Sequence, residues 1–92
     1  MDRELKDQIE YTVEMMAGII EDVTVPRNIK KTTDEARQKL TSCRDNELDV
    51  NISTAIYLMQ EISNDINMPA HTRTDIWSII SELETIREKC KG

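Results

Sequence analysis

The sequence predicts an all-α fold, an up-down-up-down four-helix bundle built from two repeated helix hairpins. The first observation is an internal repeat, because a shift of 43 positions superimposes the apolar residues of the two halves. Repeats of this length are typical of stacked helix pairs. The second is composition, since two glycines and two prolines in 92 residues leave few turn signals. The superimposed pairs include Leu5 with Leu48, Ile9 with Ile52, Met16 with Met59, Ile19 with Ile62, Pro26 with Pro69 and Leu40 with Leu83.

The third observation is the spacing of apolar residues, which recur in alternating steps of three and four. This heptad-like spacing predicts amphipathic helices that pack at shallow angles. We expect helix 1 from about Asp2 to Asp22, helix 2 from Pro26 to about Cys43, helix 3 from about Glu47 to Asn64 and helix 4 from about Pro69 to Lys89. The predicted seam consists of Leu5, Ile9, Thr12, Met16, Ile19 and Val23, then Ile29, Thr33, Ala36, Leu40 and Cys43, then Leu48, Ile52, Ala55, Met59, Ile62 and Ile66, and finally Ile76, Ile79, Leu83, Ile86 and Cys90.

The order of these helices determines the predicted topology. Three short connections make consecutive helices antiparallel, and each proline stands where a helix begins, which is its tolerated place. Two repeat units are too few for a solenoid, which needs about three. The two hairpins must therefore bury their apolar faces against each other, which favours a closed bundle over a solenoid fragment that needs partners. We expect one domain over residues 1–92, with repeat halves at about 1–43 and 44–92.

The acidic composition limits the classes of partner. A net charge of −6 opposes non-specific binding to nucleic acid or to anionic membranes, because both need clustered lysine and arginine. No apolar run approaches the roughly 18 residues that span a bilayer, and residues 1–4 lack the features of a signal peptide. We therefore expect a cytoplasmic protein whose Cys43 and Cys90 are reduced.

Two proline-containing segments carry a resemblance to a known family. The first half contains Asp22-Val-Thr-Val-Pro26-Arg-Asn-Ile29. The second half contains Glu61-Ile-Ser-Asn-Asp65-Ile-Asn-Met-Pro69-Ala-His71-Thr-Arg73-Thr-Asp75-Ile-Trp77. In combination they resemble uncharacterised protein family 0147, a group of short archaeal proteins, over nearly the whole chain. The resemblance implies an archaeal cytosolic origin and a bromodomain-like four-helix bundle, and it carries no known activity.

Enzyme chemistry is poorly supported, so we predict no catalytic residue, no metal site and no cofactor. His71 is the only histidine, whereas a di-iron bundle needs a Glu-x-x-His motif on each of two helices. A zinc site would need His71 to meet both cysteines, but Cys90 closes the helix that His71 opens, roughly 28 Å away at 1.5 Å per residue. The glycines, Gly18 and Gly92, form no phosphate-binding loop. Cys43 and Cys90 occupy seam positions, where the simplest interpretation is a small core side chain.

Cations cluster at the beginnings of helices 2 and 4, where the helix dipole normally disfavours them. Both beginnings lie at the same end of the predicted bundle, so together with free N–H groups these side chains could bind an anion. The alternative is local neutralisation by Glu21, Asp22 and Asp65, and we favour it because surface ion pairs of this type are common. The candidate anion-binding residues are Arg27, Lys30, Lys31, His71 and Arg73.

The aromatic residues all avoid the seam. Tyr11, Tyr57 and Trp77 fall at outward heptad positions, and their mates in the other repeat are polar, namely Thr54, Glu14 and Asp34. Tyr57 and Trp77 stand at similar heights on two antiparallel helices, which is typical of a contact surface. The alternative is rim packing, in which the rings lie flat over the groove of the hairpin.

These observations favour a non-enzymatic protein-interaction module of unknown biological role. We predict that it recognises a second copy of itself or another protein through the face of helices 3 and 4, with Tyr57 and Trp77 at the interface. The alternative is an anion-, nucleotide- or RNA-associated factor that uses the basic end formed by the helix 1–2 and helix 3–4 loops. Nucleic acid is the less favoured partner because of the acidic composition, and no membrane is expected.

Overall fold

Four helices account for almost all of the chain in the computed structural model, which describes residues 3–41 and 47–91. They are α1 (Arg3–Glu21), α2 (Arg27–Thr41), α3 (Leu48–Ile62) and α4 (Ala70–Lys91). The predicted helices are confirmed, and the described ends lie within about two residues of the expected ones. The predicted end of helix 2, Cys43 included, lies outside the described residues.

The helices form a four-helix bundle in which neighbours in sequence are also neighbours in space. Helix α1 packs on α2, α2 on α3 and α3 on α4, and α1 closes the ring by packing on α4. The diagonal pairs, α1 with α3 and α2 with α4, make no close backbone contact among the described residues. The body measures 37 × 19 × 19 Å. The predicted all-α bundle is therefore confirmed, and the two hairpins close around one core.

The core follows the predicted heptad seam. Ten apolar seam residues are fully or almost fully buried at the centre of the bundle, namely Met16, Ile29, Ala36, Ile52, Ala55, Met59, Ile76, Ile79, Leu83 and Ile86. Two buried threonines also occupy the seam, and each satisfies its hydroxyl by donating to the carbonyl four residues earlier. Thr12 donates to Gln8 O at 2.9 Å and Thr33 donates to Ile29 O at 2.8 Å. The core is wider than the seam, because Ile56 and Ile80 are buried as well.

The prediction is wrong at the last seam position of α1 and of α3. Val23 and Ile66 are 92% and 90% exposed, whereas Val25 and Met68, two residues later, are 5% and 6% exposed. The physical reason is that the helices end at Glu21 and Ile62, so the helical period no longer sets the direction of side chains beyond them. The second apolar residue of each loop closes the core instead.

Candidate functional site

The two loops that follow α1 and α3 have the same local structure. Each contains an aspartate whose carboxylate turns back onto the loop, an arrangement typical of Asx turns. Asp22 accepts hydrogen bonds from the backbone N–H of Thr24 at 2.9 Å and from its hydroxyl at 2.6 Å. Asp65, its repeat mate, accepts one from the backbone N–H of Asn67 at 2.8 Å. The two halves of the chain therefore repeat the hydrogen bonding of the loop aspartate as well as the spacing of apolar residues.

The same two aspartates also join the hairpins to each other. Asn28, near the beginning of α2, donates from Nδ2 to Asp65 Oδ2 at 3.0 Å. His71, its repeat mate near the beginning of α4, is hydrogen-bonded through Nε2 to Asp22 Oδ2 at 2.9 Å. Each hairpin thus supplies one polar side chain to the loop aspartate of the other. This reciprocal pair of bonds stabilises the loop end of the bundle.

These bonds favour the ionised form of both aspartates. Hydrogen bonds from the Thr24 hydroxyl and from His71 hold the pKa of the Asp22 carboxyl well below its usual range. The backbone N–H of Asn67 and the side chain of Asn28 lower the pKa of Asp65 in the same way. Protonating either carboxylate would remove acceptors on which both the loop and the opposite hairpin depend.

Folding stability is therefore expected to depend on these carboxylates at acid pH. Because both pKa values are lower in the folded state, their stabilisation is present above the unfolded pKa of about 4 and is lost as the pH falls below it. Denaturant unfolding of wild type and of the Asp22→Asn, Asp65→Asn double variant between pH 2 and pH 7 would test this. The double variant should be less stable at pH 7 and should lose less stability on acidification.

Glu10→Gln is the matched control for this titration, because Glu10 is exposed in the middle of α1 and makes no hydrogen bond to any described residue. This variant should follow the wild-type profile. Equal acid sensitivity of the double variant and wild type would show that the two loop carboxylates do not contribute.

The five basic residues of the predicted anion site differ in their hydrogen bonding. Arg73 donates from Nη2 to the backbone carbonyl of Asp65 at 2.8 Å, and His71 is bonded to Asp22. Arg27, Lys30 and Lys31 make no hydrogen bond or ion pair within residues 3–41 and 47–91. The geometry therefore supports local neutralisation at the beginning of α4, whereas at the beginning of α2 Arg27 and Lys31 are exposed and Lys30 is half-buried.

Tyr57 and Trp77 lie on the outer surface of the α3–α4 hairpin. Their residues are 63% and 52% exposed. Tyr57 lies five residues before the end of α3 and Trp77 lies seven residues after the beginning of α4. At 1.5 Å per residue, their heights along the bundle agree within about 3 Å. Two half-exposed rings thus stand at similar heights on two neighbouring helices.

Most residues around these rings carry no charge; the exceptions include Glu61, which also lines the groove with α2, and Glu82, which accepts a hydrogen bond from Gln8 of α1. We define the uncharged face as the solvent-facing residues of α3 and α4 that surround the two rings, namely Val50, Ser53, Thr54, Tyr57, Gln60, Thr74, Trp77, Ser78 and Ser81. Their nine repeat mates on α1 and α2 include six charged residues, namely Asp7, Glu10, Glu14, Lys31, Asp34 and Glu35. Since the two hairpins share one fold, the difference lies in the sequence of the face and not in its backbone.

A shallow depression lies beside Trp77. It has a volume of about 460 Å³ and is lined by Thr74, Trp77, Ser78, Ser81 and Glu82. Small serine and threonine side chains leave this space next to a large ring, an arrangement that can receive a side chain from a partner. Sequence reasoning missed these serines, although Glu35 on α2, the charged repeat mate of Ser78, was a readable signal.

The described residues also bear on metal binding and on membrane insertion. No group of three or more histidine, cysteine, aspartate or glutamate residues is arranged there to hold a metal ion. None of the described helices is both long enough and apolar enough to cross a membrane. Cys90 is partly buried against the core, and Cys43 lies outside the described residues.

Comparisons with known proteins confirm the resemblance carried by the two loops. The sequence profile of an uncharacterised protein family, UPF0147, matches residues 1–86. UPF0147 protein MJ1419 of Methanocaldococcus jannaschii is 49% identical over 73 residues, which are 79% of this chain and 77% of that protein. A UPF0147 protein of Archaeoglobus fulgidus is 40% identical over 81 residues, which are 88% of this chain and 91% of that protein.

Two crystal structures share the fold. A protein of UPF0147 from Thermoplasma acidophilum superimposes with a TM-score of 0.83 at 34% identity, covering 92% of this chain and 99% of that one. The protein of unknown function MMP1188 superimposes with a TM-score of 0.81 at 48% identity, covering 87% of this chain and 90% of that one. The names of these relatives assign them no activity.

Proposed function

The chain belongs to the uncharacterised protein family UPF0147, and we propose that it is a non-enzymatic protein-interaction module that binds through the uncharged face of α3 and α4. Tyr57 and Trp77 are its anchor residues. Exposed aromatic rings at the centre of an uncharged patch are the usual composition of an interface core. Each ring could bury about 150–250 Å² in a contact, enough to dominate a small interface.

The contrast between the two hairpins carries this proposal. A solvated helix surface normally resembles the α1–α2 face, where charged residues alternate with polar ones. Rim packing would explain why the rings of Tyr57 and Trp77 lie at the surface. It would not explain why the positions of this face around them are uncharged when most of their repeat mates on α1 and α2 are charged. A surface that must lose its water on binding explains both features, because burying an unpaired charge is costly.

Selection from a displayed library of random peptides tests the proposal. The immobilised wild-type protein serves as bait, and the selected peptides are then measured against Tyr57→Ala, Trp77→Ala and the control Tyr11→Ala. Tyr11 is equally exposed, at 55%, but stands on α1. Peptides should lose binding to the first two variants and keep it for the third. Peptides that bind all three variants equally would contradict the proposal. Sedimentation of the wild type in parallel would show whether a second copy occupies the face.

The alternative function, binding of an anion, a nucleotide or RNA at the basic loop end, rests on the unpaired cations at the beginning of α2. If nothing anionic binds there, these cations only oppose the helix dipole. Replacing Lys30 and Lys31 with glutamate is then expected to raise the free energy of unfolding by a few tenths to about 1 kcal/mol at low salt. Denaturant unfolding at low salt and again at about 1 M salt, where the gain should vanish, provides the measurement.

Titration of the wild-type protein with phosphate, a nucleotide and RNA, followed by NMR, separates the two functions. Chemical-shift changes at residues 27–31 that disappear in the double glutamate variant would favour the basic loop end. Unchanged spectra would leave these lysines as surface charges.

A further inference from the structure

We infer that the partner of the uncharged face is a protein segment that carries basic residues on both sides of an apolar contact. This inference rests on the proposed function and adds the chemistry of the partner. The distribution of charge around the face differs from that of the rest of the molecule.

The acidic excess of the chain is concentrated in the hairpin that bears the face. Residues 47–91 contain eight acidic and four basic residues, whereas residues 3–41 contain eight acidic and seven basic residues. Helix α3 contains no basic residue at all. The described residues of the second hairpin therefore carry a net charge of −4, against −1 for those of the first, although the uncharged face belongs to the second hairpin.

Of the four basic residues in this hairpin, two make hydrogen bonds away from the face and a third is partly buried. Arg73 donates to the backbone of Asp65 in the loop. Lys89 reaches across to α1, where its Nζ lies 3.1 Å from Glu4 Oε1 and 2.7 Å from Gln8 Oε1. Arg87 is partly buried, and its Nε lies out of solvent. Arg73 and Lys89 therefore cannot neutralise a carboxylate on the outer surface without giving up these hydrogen bonds.

Three acidic side chains stand around the face without partners among the described residues. Asp49 lies one turn before Ser53 on α3, Glu61 lies one turn after Tyr57, and Glu84 lies one turn after Ser81 on α4. All three are exposed and make no hydrogen bond or ion pair to any described residue. They form an acidic rim around an uncharged centre, and a complementary partner places lysine or arginine opposite them.

This charge pattern argues against two other occupants. A second copy would place one acidic rim against another, and like charges brought together across an interface oppose association. Nucleic acid would place phosphates against the same rim, whereas its binding needs clustered cations. A basic protein segment is the occupant that the rim attracts.

The library selection described above also tests the partner's chemistry, through the net charge of the selected peptides and their binding to a rim variant. The rim variant carries Asp49→Asn, Glu61→Gln and Glu84→Gln. The matched control carries Asp7→Asn, Glu10→Gln and Glu14→Gln, which removes three exposed acidic charges from α1 instead. Circular dichroism melts would show that both variants keep their helices.

Selected peptides should carry a net positive charge and at least one large apolar residue. Their affinity, measured by fluorescence anisotropy of labelled peptides at about 50 mM salt, should fall about five- to thirtyfold for the rim variant and less than about twofold for the control. The difference should shrink at about 1 M salt, where the Debye length is about 3 Å.

A failure of the basic-partner inference can be distinguished from a failure of the proposed function. Neutral or acidic peptides that depend on Tyr57 and Trp77, or wild-type dimers that depend on Trp77, would overturn the basic partner and keep the interaction module. RNA that competes for the face would likewise overturn it. Peptides that ignore both rings, or a library that yields no binder, would overturn the proposed function and this inference together.

Discussion

Replacing Leu83 with alanine is expected to lower the free energy of unfolding by about 2–5 kcal/mol, the usual range for a buried leucine. Leu83 has no exposed surface and lies in the core, so the truncation removes contacts and leaves a cavity. Leu40, its repeat mate, is 5% exposed, and Leu40→Ala should fall in the same range. Chemical denaturation followed by circular dichroism measures both losses.

Ile66→Ala is the control for this core prediction. Heptad spacing places Ile66 in the seam, but it is 90% exposed. Its truncation should cost less than about 0.5 kcal/mol, as is usual for surface positions. A loss below about 0.5 kcal/mol at both Leu40 and Leu83, or a large loss at Ile66, would show that the side chains of the core are assigned incorrectly.

Replacing Trp77 with alanine is expected to separate binding from stability. The residue is 52% exposed, so the change removes only part of a buried ring, and alanine is the better helix former by about 0.5 kcal/mol. We therefore expect a loss of about 1 kcal/mol or less in the free energy of unfolding. Binding of the selected peptides should weaken by at least about thirtyfold, which corresponds to the roughly 2 kcal/mol of an interface hot spot.

The single tryptophan also provides its own probe, because no other residue contributes indole fluorescence. In the free protein, iodide should quench Trp77 readily, and saturating peptide should shift its emission to shorter wavelength and protect it. Tyr11→Ala should leave these signals unchanged. A loss of about 3 kcal/mol or more on Trp77→Ala, with peptide binding retained, would place the ring in the core and remove its role as an anchor.

The outer face shows how far sequence reasoning can reach toward a candidate site. Tyr57 and Trp77 could be placed outside the core because heptad positions determine which side of a helix faces its neighbours. The depression beside Trp77 could not be predicted in this way. Its existence depends on which small side chains stand next to the ring on the folded surface, and the heptad pattern does not describe the size of outward residues.

At the loop end, the sequence predicted local neutralisation but not the specific hydrogen-bond partners. The repeated aspartates and prolines were visible in the sequence, and local neutralisation of the cations was the favoured interpretation there. The pairing of Asn28 with Asp65 and of His71 with Asp22 was not predicted, because each bond joins residues that are far apart in the chain. Only the arrangement of the two hairpins brings each donor to the loop of the other.

The sequence by itself determined the four helices, their order and most of the core, because helical periodicity and proline position are local properties that one chain displays directly. Tertiary structure decided which loop residues close the core and which hydrogen bonds the polar side chains of the loops make. Val23 and Val25 are both apolar and only two residues apart, and no local rule distinguishes them. One is exposed and the other buried because the chain leaves the helix at Asp22 and must turn toward the beginning of α2.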